Sequence, residues 1–214
     1  MNIKILTAAL GVTLTTIAIN AKAQTAYTQG IVSYSSMMNG NKTEAKEYFS
    51  ADSSMYAFEA GPADIKLLAN ATHSYFAVLV DVPVASKFFA AVANPSEIED
   101  GQSQMPSFTF APTTETKVIS GFNCKKVIAT DAKSKKSYDV WITNDFTFPA
   151  TAVQPYYANA GGFPVQYTML MQGQEVPITV TSIVQKDLPK GTFGIPADAQ
   201  RITLDELKAM RGGN

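Results

Sequence analysis

The chain of 214 residues has one cysteine, one histidine, one tryptophan and two arginines. A lone Cys124 makes no internal disulfide, so the fold must stand on its hydrophobic core. One histidine and one cysteine fall short of the three or four ligands a zinc site needs. A Ser-His-Asp or Cys-His arrangement would have to recruit His73, which opens a predicted strand without a local signature and reads as structural. Cys124 sits beside Lys125, between Phe122 and Ile128, and reads as a small buried hydrophobe rather than a reactive thiolate. There is no Gly-rich phosphate loop and no G-x-S-x-G elbow. Charged residues make up only 16% of the chain, with 17 Lys and Arg against 18 Asp and Glu. Without a basic excess, nucleic-acid binding is not expected. These absences point away from an enzyme and call for no cofactor or metal. A carboxylate pair among the 18 acids stays open, because spatial pairing is invisible in sequence.

Long apolar runs are also scarce, and the one present lies at the N-terminus. Lys4 supplies a positive start, Ile5 to Ile19 is uncharged and mostly apolar, and Ala21-Lys22-Ala23 has the A-x-A form of a cleavage site. Residues 1–23 are therefore expected to be a signal peptide, with Gln24 as the mature N-terminus. The run is shorter than the roughly 20 apolar residues a membrane span requires. No cysteine follows the cleavage site to carry a lipid, so no stable membrane anchor is expected. Taking 23 residues from 214 leaves a mature chain of 191, which suits a single domain, 24–214. The leader carries away two lysines and no acid, which moves the net charge from −1 to −3. The expected location is periplasmic or secreted.

The mature sequence is rich in β-forming residues with period-two alternation. Tyr138, Val140 and Ile142 alternate with Asp139, Trp141 and Thr143. With Lys117 to Thr130 before a Lys-rich turn, they read as a central hairpin. Further strands are expected over Ala26 to Met38, Thr43 to Ser50, Ser54 to Ala60, His73 to Val82, Ser86 to Ala93, Ser107 to Ala111, Val165 to Met171 and Pro177 to Lys186. Ile65 to Ala69 is a strand or a helical turn. Apolar residues on both faces of His73 to Val82 predict burial on both sides. Asn94 to Pro106, with Glu97, Glu99 and Asp100, lacks the ligand spacing of a calcium loop and reads as a solvated mobile loop. Phe146 to Gly162, with two prolines and Tyr156-Tyr157, breaks the strand pattern. It is either an aromatic insertion capped by Thr151 that covers the sheet, or an ordinary packed loop. A closing helix is expected over Leu204 to Arg211. Thr203 and Glu206 form its capping box, Ile202 and Leu207 its hydrophobic staple, and Gly212-Gly213 its stop. About nine or ten short antiparallel strands with little helix predict a mainly β protein. A sheet of that size curls or splits, into a sandwich, a barrel or a bent sheet around a plug.

Four segments carry a resemblance. They are Ile119-Ser-Gly-Phe-Asn-Cys-Lys-Lys-Val, Asp139-Val-Trp-Ile-Thr-Asn, Gly162-Phe-Pro-Val and Phe193-Gly-Ile-Pro-Ala-Asp-Ala. In this order and spacing they resemble exported domains of Bacteroidota-type envelopes related to the LolA/LolB-like lipoprotein-carrier fold. The resemblance implies a curved, incompletely closed antiparallel sheet, a half-barrel covered by short helices, with a concave apolar cavity for acyl chains. The chain has arginine only at Arg201 and Arg211 and no counterpart of the carriers' cargo-handling arginine. What carries over is therefore the cavity rather than lipoprotein transport.

Composition agrees with a binding role. Eight methionines, with 9 Tyr, 12 Phe and 1 Trp, give adaptable apolar surface, although the same residues would also fill a β core. If a cavity exists, Tyr56, Phe58, Phe76, Trp141, Tyr167 and Met169 are the candidates to line it. Alternation alone leaves open which parity faces inward. The expected partner is an apolar small molecule or lipid acyl chain. The alternative is an envelope protein-interaction or stress-response scaffold without a small-molecule ligand.

Overall fold

In a computed structural model, residues 25–38, 40–171 and 173–211 are described. The leader over 1–23, its cleavage before Gln24 and the Gly212-Gly213 stop lie outside them. Fourteen strands are present among the described residues: β1 Thr25–Ala26, β2 Gly30–Met38, β3 Asn41–Phe49, β4 Ser53–Ala60, β5 Ala63–Asn70, β6 Phe76–Val82, β7 Lys87–Val92, β8 Phe108–Ile119, β9 Phe122–Asp131, β10 Ser137–Thr143, β11 Phe146–Thr147, β12 Phe163–Met171, β13 Gln174–Gln185 and β14 Gln200–Ile202. Helix α1 is Pro95–Gln104 and helix α2 is Leu204–Arg211. Among the described residues, neither helix is long and apolar enough to cross a membrane.

Twelve strands form one sheet in the order β14-β7-β6-β5-β4-β3-β2-β13-β12-β10-β9-β8, while β1 and β11 pair separately. Every neighbour in the large sheet is antiparallel except the edge pair β14–β7. Short turns explain the meander. The run expected as one strand from Lys117 to Thr130 is folded in two at Ser120-Gly121. Ile119 pairs with Phe122 across a two-residue turn whose φ angles are 50° and 86°. Two positive φ values make the tight turn that follows strand twist, and glycine takes one of them without strain.

The sheet curls, and its connections show why. β7 and β8 stand ten strand spacings apart, about 48 Å if the sheet were flat. Only residues 93–107 join them. The ten-residue α1 spans about 15 Å, and five extended residues add about 17 Å at most. The two edges must therefore approach each other. Helix α1 runs across the gap, with Gln102 Nε2 donating to His73 O at 2.9 Å and Lys133 Nζ donating to Ser103 O at 3.1 Å. His73 lies between β5 and β6, and Lys133 between β9 and β10. The sheet is curved but not closed.

The helix replaces the loop expected over Asn94 to Pro106. Asn94 Oδ1 accepts from Glu97 N at 3.0 Å, Glu97 Oε2 accepts from Asn94 N at 2.8 Å, and Pro95 takes the first helical position. Such a reciprocal cap satisfies two otherwise orphaned donors. No residue of α1 is buried, so the apolar stripe that normally reveals a helix is missing. At the other end, Thr203 and Glu206 form the expected box, with Thr203 N donating to Glu206 Oε2 at 2.7 Å and Glu206 N to Thr203 Oγ1 at 3.1 Å. Leu207 is buried.

Two apolar clusters lie mainly on opposite faces of the same sheet. The larger one gathers Val32, Tyr34 and Phe49 with residues of β9, β10, β12 and β13. The segment between β11 and β12 covers it, through two 3₁₀ turns at Ala150–Ala152 and Pro155–Tyr157. Tyr157 is fully buried and donates to Thr168 O at 2.8 Å. The expected insertion thus covers the sheet, but Thr151 does not cap it; its hydroxyl donates to Ser50 O. The smaller cluster, Met55, Leu68, Ala77, Leu79 and Ala90, lies on the outer face of β4 to β7 under Phe193, Ile195 and Ala199. In β6, Ala77 and Leu79 are therefore buried while Phe76, Val78 and Val80 are only half-buried. Burial on both faces of that strand, as expected from its composition, does not occur.

Gly162 fixes the return of the insertion to the sheet. A Cβ there would stand 2.8 Å from both Thr143 O and Asn144 Oδ1. Gly162→Ala is expected to cost about 1–3 kcal/mol in urea unfolding through overpacking. A change under about 0.5 kcal/mol would show that the backbone gives way there.

Candidate functional site

Strand register builds the candidate site row by row, because directly paired residues share a face. One row runs Val32, Glu47, Tyr56, Leu67, Val78, Ala91 from β2 to β7. The row beside it runs Tyr34, Ala45, Phe58, Ile65, Val80, Phe89. Ala69 and Phe76 pair on the same face. This is the inner, concave face. The Tyr157 ring sits 5.3 Å from Phe108 on the far edge strand and lines one crevice with Glu47, six strands away. A flat sheet would separate those strands by about 29 Å.

The inner face is covered unevenly. Phe58, Ile65, Leu67, Phe76, Val78, Val80 and Phe89 are all half-buried, and they pack into neither apolar cluster. They make an open apolar surface on β4 to β7, backed on the outer side by the smaller cluster.

Five of the six sequence candidates share this face. Phe58 and Phe76 lie on its open part, and Tyr56, half-buried, stands where it meets the covered part. Tyr167 and Met169 are buried beneath the insertion, at 6% and 7% exposure, and belong to the core. Trp141, at 9% exposure, belongs to the same buried cluster as Tyr167 and Met169, but it pairs with Gln166, whereas Tyr167 pairs with Ile178, so register sets it on the opposite face of the sheet. Lys117 Nζ lies 4.0 Å above its ring and donates to Gln166 Oε1 at 2.8 Å. A register shift between Trp141 and Ile142 buries consecutive residues of β10, so burial there does not follow alternation.

Where the open and covered regions meet stands Glu47, a carboxyl at 6% exposure that the sequence reading did not single out. Tyr34 Oη donates to Glu47 Oε2 at 2.6 Å. Burial pushes the Glu47 carboxyl up to about 7, against the opposing pull of the Tyr34 hydrogen bond. Burial, and then the nearby Glu47 carboxylate, raise the Tyr34 and Tyr167 phenols well above their ordinary value. Tyr56 moves the same way for the same two reasons. A narrow crevice with about 10 Å³ of room reaches Glu47, lined also by Tyr34, Gln154, Tyr157 and Tyr167. The available signal was parity: Ala45, Glu47 and Phe49 alternate with Lys46 and Tyr48, which puts one acid between two apolar residues.

The other chemistry-bearing residues are scattered. Cys124 is buried, its thiol pushed up by desolvation and hydrogen-bonded to Phe122 O at 3.4 Å. His73 sits in the β5–β6 turn at a φ of 53°, not at the start of a strand. Among the described residues no group of three or more His, Cys, Asp or Glu stands close enough to hold a metal ion.

No family model and no curated protein matches the chain in sequence. Two solved structures of PNGF-II, in space groups C2 and P21, share its fold. The TM-score is 0.52 for both, with 16% and 15% identity over 86% and 87% of this chain. The chain spans about a third of the length of PNGF-II, 33% and 34% in the two structures. At that identity the likeness is one of fold alone.

Glu47 gives a pH signature. An acid raised in the folded state holds its proton there while the unfolded chain has lost it. Stability therefore falls as pH rises from about 4.5 to about 7, by about 3 kcal/mol in all. Glu47→Gln keeps an acceptor for Tyr34 and removes the titration. Its urea midpoint is expected to be flatter than wild type across that window. Parallel profiles for the two proteins would assign the pH dependence to another group.

Proposed function

We propose that the protein is an exported, non-enzymatic binding protein that holds an apolar molecule, such as a lipid acyl chain, on the inner face of β4 to β7. The observation that carries this reading is the set of seven half-buried apolar side chains in neither core cluster: Phe58, Ile65, Leu67, Phe76, Val78, Val80 and Phe89. The resemblance of the four sequence segments to LolA-like carriers supports the same mode of action, an acyl chain lying in a curved open sheet. The leader read over residues 1–23 supports export.

Size favours a small ligand over a protein partner. The patch crosses three strand spacings and three inward-facing positions along β6, about 15 Å by 14 Å. A stable protein interface takes about 800 Å² from each partner, roughly four times that area. An elongated apolar chain fits the patch, and its outer backing by Leu68, Ala77, Leu79 and Ala90 keeps the surface rigid.

Native mass spectrometry of the chain from Gln24, purified from cells that produce it and followed by organic extraction, tests the reading directly. An added mass that extracts as lipid is expected. The double substitution Leu67→Thr and Val78→Thr should lower uptake of a hydrophobic dye at least about tenfold. It should cost less stability than the 2–5 kcal/mol typical of truncating a packed core residue, because neither side chain is in a core cluster. Undiminished dye uptake by a folded double variant would rule out this face.

A further inference from the structure

Glu47 is a buried carboxyl without a counter-ion. The ion pairs among the described residues all lie elsewhere. No lysine or arginine lines its crevice. Lys46, its neighbour in sequence, points to the other face of β3. Groups facing Glu47 from the packed elements are the phenols of Tyr34 on β2, Tyr56 on β4, Tyr167 on β12 and Tyr157 on the insertion, with Gln154 beside them. Tyr34 and Tyr56 rings stand 5.8 Å apart, as do Tyr56 and Phe58. A carboxylate among aromatic rings attracts cations and repels anions.

The position links this group to the open face. Tyr56 pairs with Glu47 on one side and with Leu67 on the other. One further spacing, about 5 Å, leads from Leu67 to Val78. A ligand lying on that face therefore ends at Tyr56, the cross-strand neighbour of Glu47, and its head must pass the Tyr56 ring to reach the carboxylate. The crevice is narrow, with room for a group the size of a water molecule. A primary ammonium has that size and three donors, and a trimethylammonium does not fit.

We propose that Glu47 recognises the primary ammonium head of a long-chain amine whose apolar tail lies on the inner face of β4 to β7. The proposal rests on the apolar-face reading and adds the head group. Glu47 Oε2 already accepts from Tyr34, so the second carboxylate oxygen is the one that takes the ammonium. The raised proton affinity of the buried carboxyl is consistent with a site that lacks its cation.

Titration calorimetry at pH 8 with dodecylamine, dodecyltrimethylammonium, dodecanol and dodecanoate, each below its micelle concentration, tests it. Dodecylamine is expected to bind at least about tenfold more tightly than the other three, the scale of one charge-assisted hydrogen bond. In Glu47→Gln, dodecylamine should fall to within about twofold of dodecanol, with dodecanol unchanged. In wild type the preference should fade towards pH 5.5, where Glu47 is protonated and the tyrosines are neutral throughout. Dodecanol or dodecanoate bound as tightly as the amine overturns the proposal, and so does an amine preference that survives in Glu47→Gln. Dodecanol bound without amine preference overturns the head-group assignment alone, whereas failure of all four to bind a folded protein overturns the apolar-face reading with it.

Discussion

Fifteen residues join two strands that stand ten spacings apart in one sheet, and the rest of the molecule follows from that shortfall. The connection is too short for a flat sheet, so the sheet curls until α1 can bridge its edges. Curling makes an inside and an outside. A single sheet of that size cannot fill its own concavity with side chains alone, because strands near the edges diverge from those opposite. Extra chain must enter, and the segment from Phe148 to Tyr157 does so. It brings a group of rings, with Phe148 stacked 4.4 Å from Phe163 and Tyr157 edge-on to Tyr167 at 5.2 Å. Aromatic pairs at such distances add to the area they bury.

The insertion is short and covers only part of the concavity. Across β4 to β7 the sheet is stabilised from behind instead, by the segment carrying Phe193, Ile195 and Ala199. This division explains how an apolar inner surface persists without collapsing. Leu68, Leu79 and Ala77 on the outer face are buried to 2% exposure or less, so the strands are held in place whether or not anything lies on their inner side. A surface supported this way can exchange a ligand without refolding.

Much of this could be read from the sequence wherever a local rule acts alone. Period-two alternation located most strands, and the Thr203–Glu206 spacing located the final helix, because caps and pleats are set by neighbouring residues. Misreadings arise where the local signal is faint or where pairing with distant strands decides. Asn94-Pro95 with Glu97 is as good a cap as Thr203 with Glu206, yet α1 has no apolar stripe and reads as solvated loop. Ser120-Gly121 lies inside a β-rich run, and only the pairing of Ile119 with Phe122 reveals a turn. Residue type groups Trp141 with Tyr167, and both are buried in one cluster, but only the pairing of Trp141 with Gln166 shows that it stands on the other face of the sheet. The open surface itself could not be found from composition. Phe58, Leu67 and Val78 are the same kinds of residue as Phe49, Leu68 and Val140, and only the length of the insertion decides which set is covered.

At Glu47 the covered and open parts of the concavity impose conflicting demands. A carboxyl at a site this buried costs stability when charged and is tolerated when neutral or paired. Tyr34 offers a single donor, which lowers the cost without removing it. A glutamine would meet the same hydrogen bond without the charge, and a leucine would fill the space without the polarity. Neither alternative would leave an acceptor whose proton affinity lies near neutral at the inner end of a half-buried apolar row. Packing therefore gives no reason for an acid at this position. On the proposed reading, the acid serves a group that arrives from outside with hydrogens to donate, and the row Tyr56, Leu67, Val78 gives the direction from which it would come.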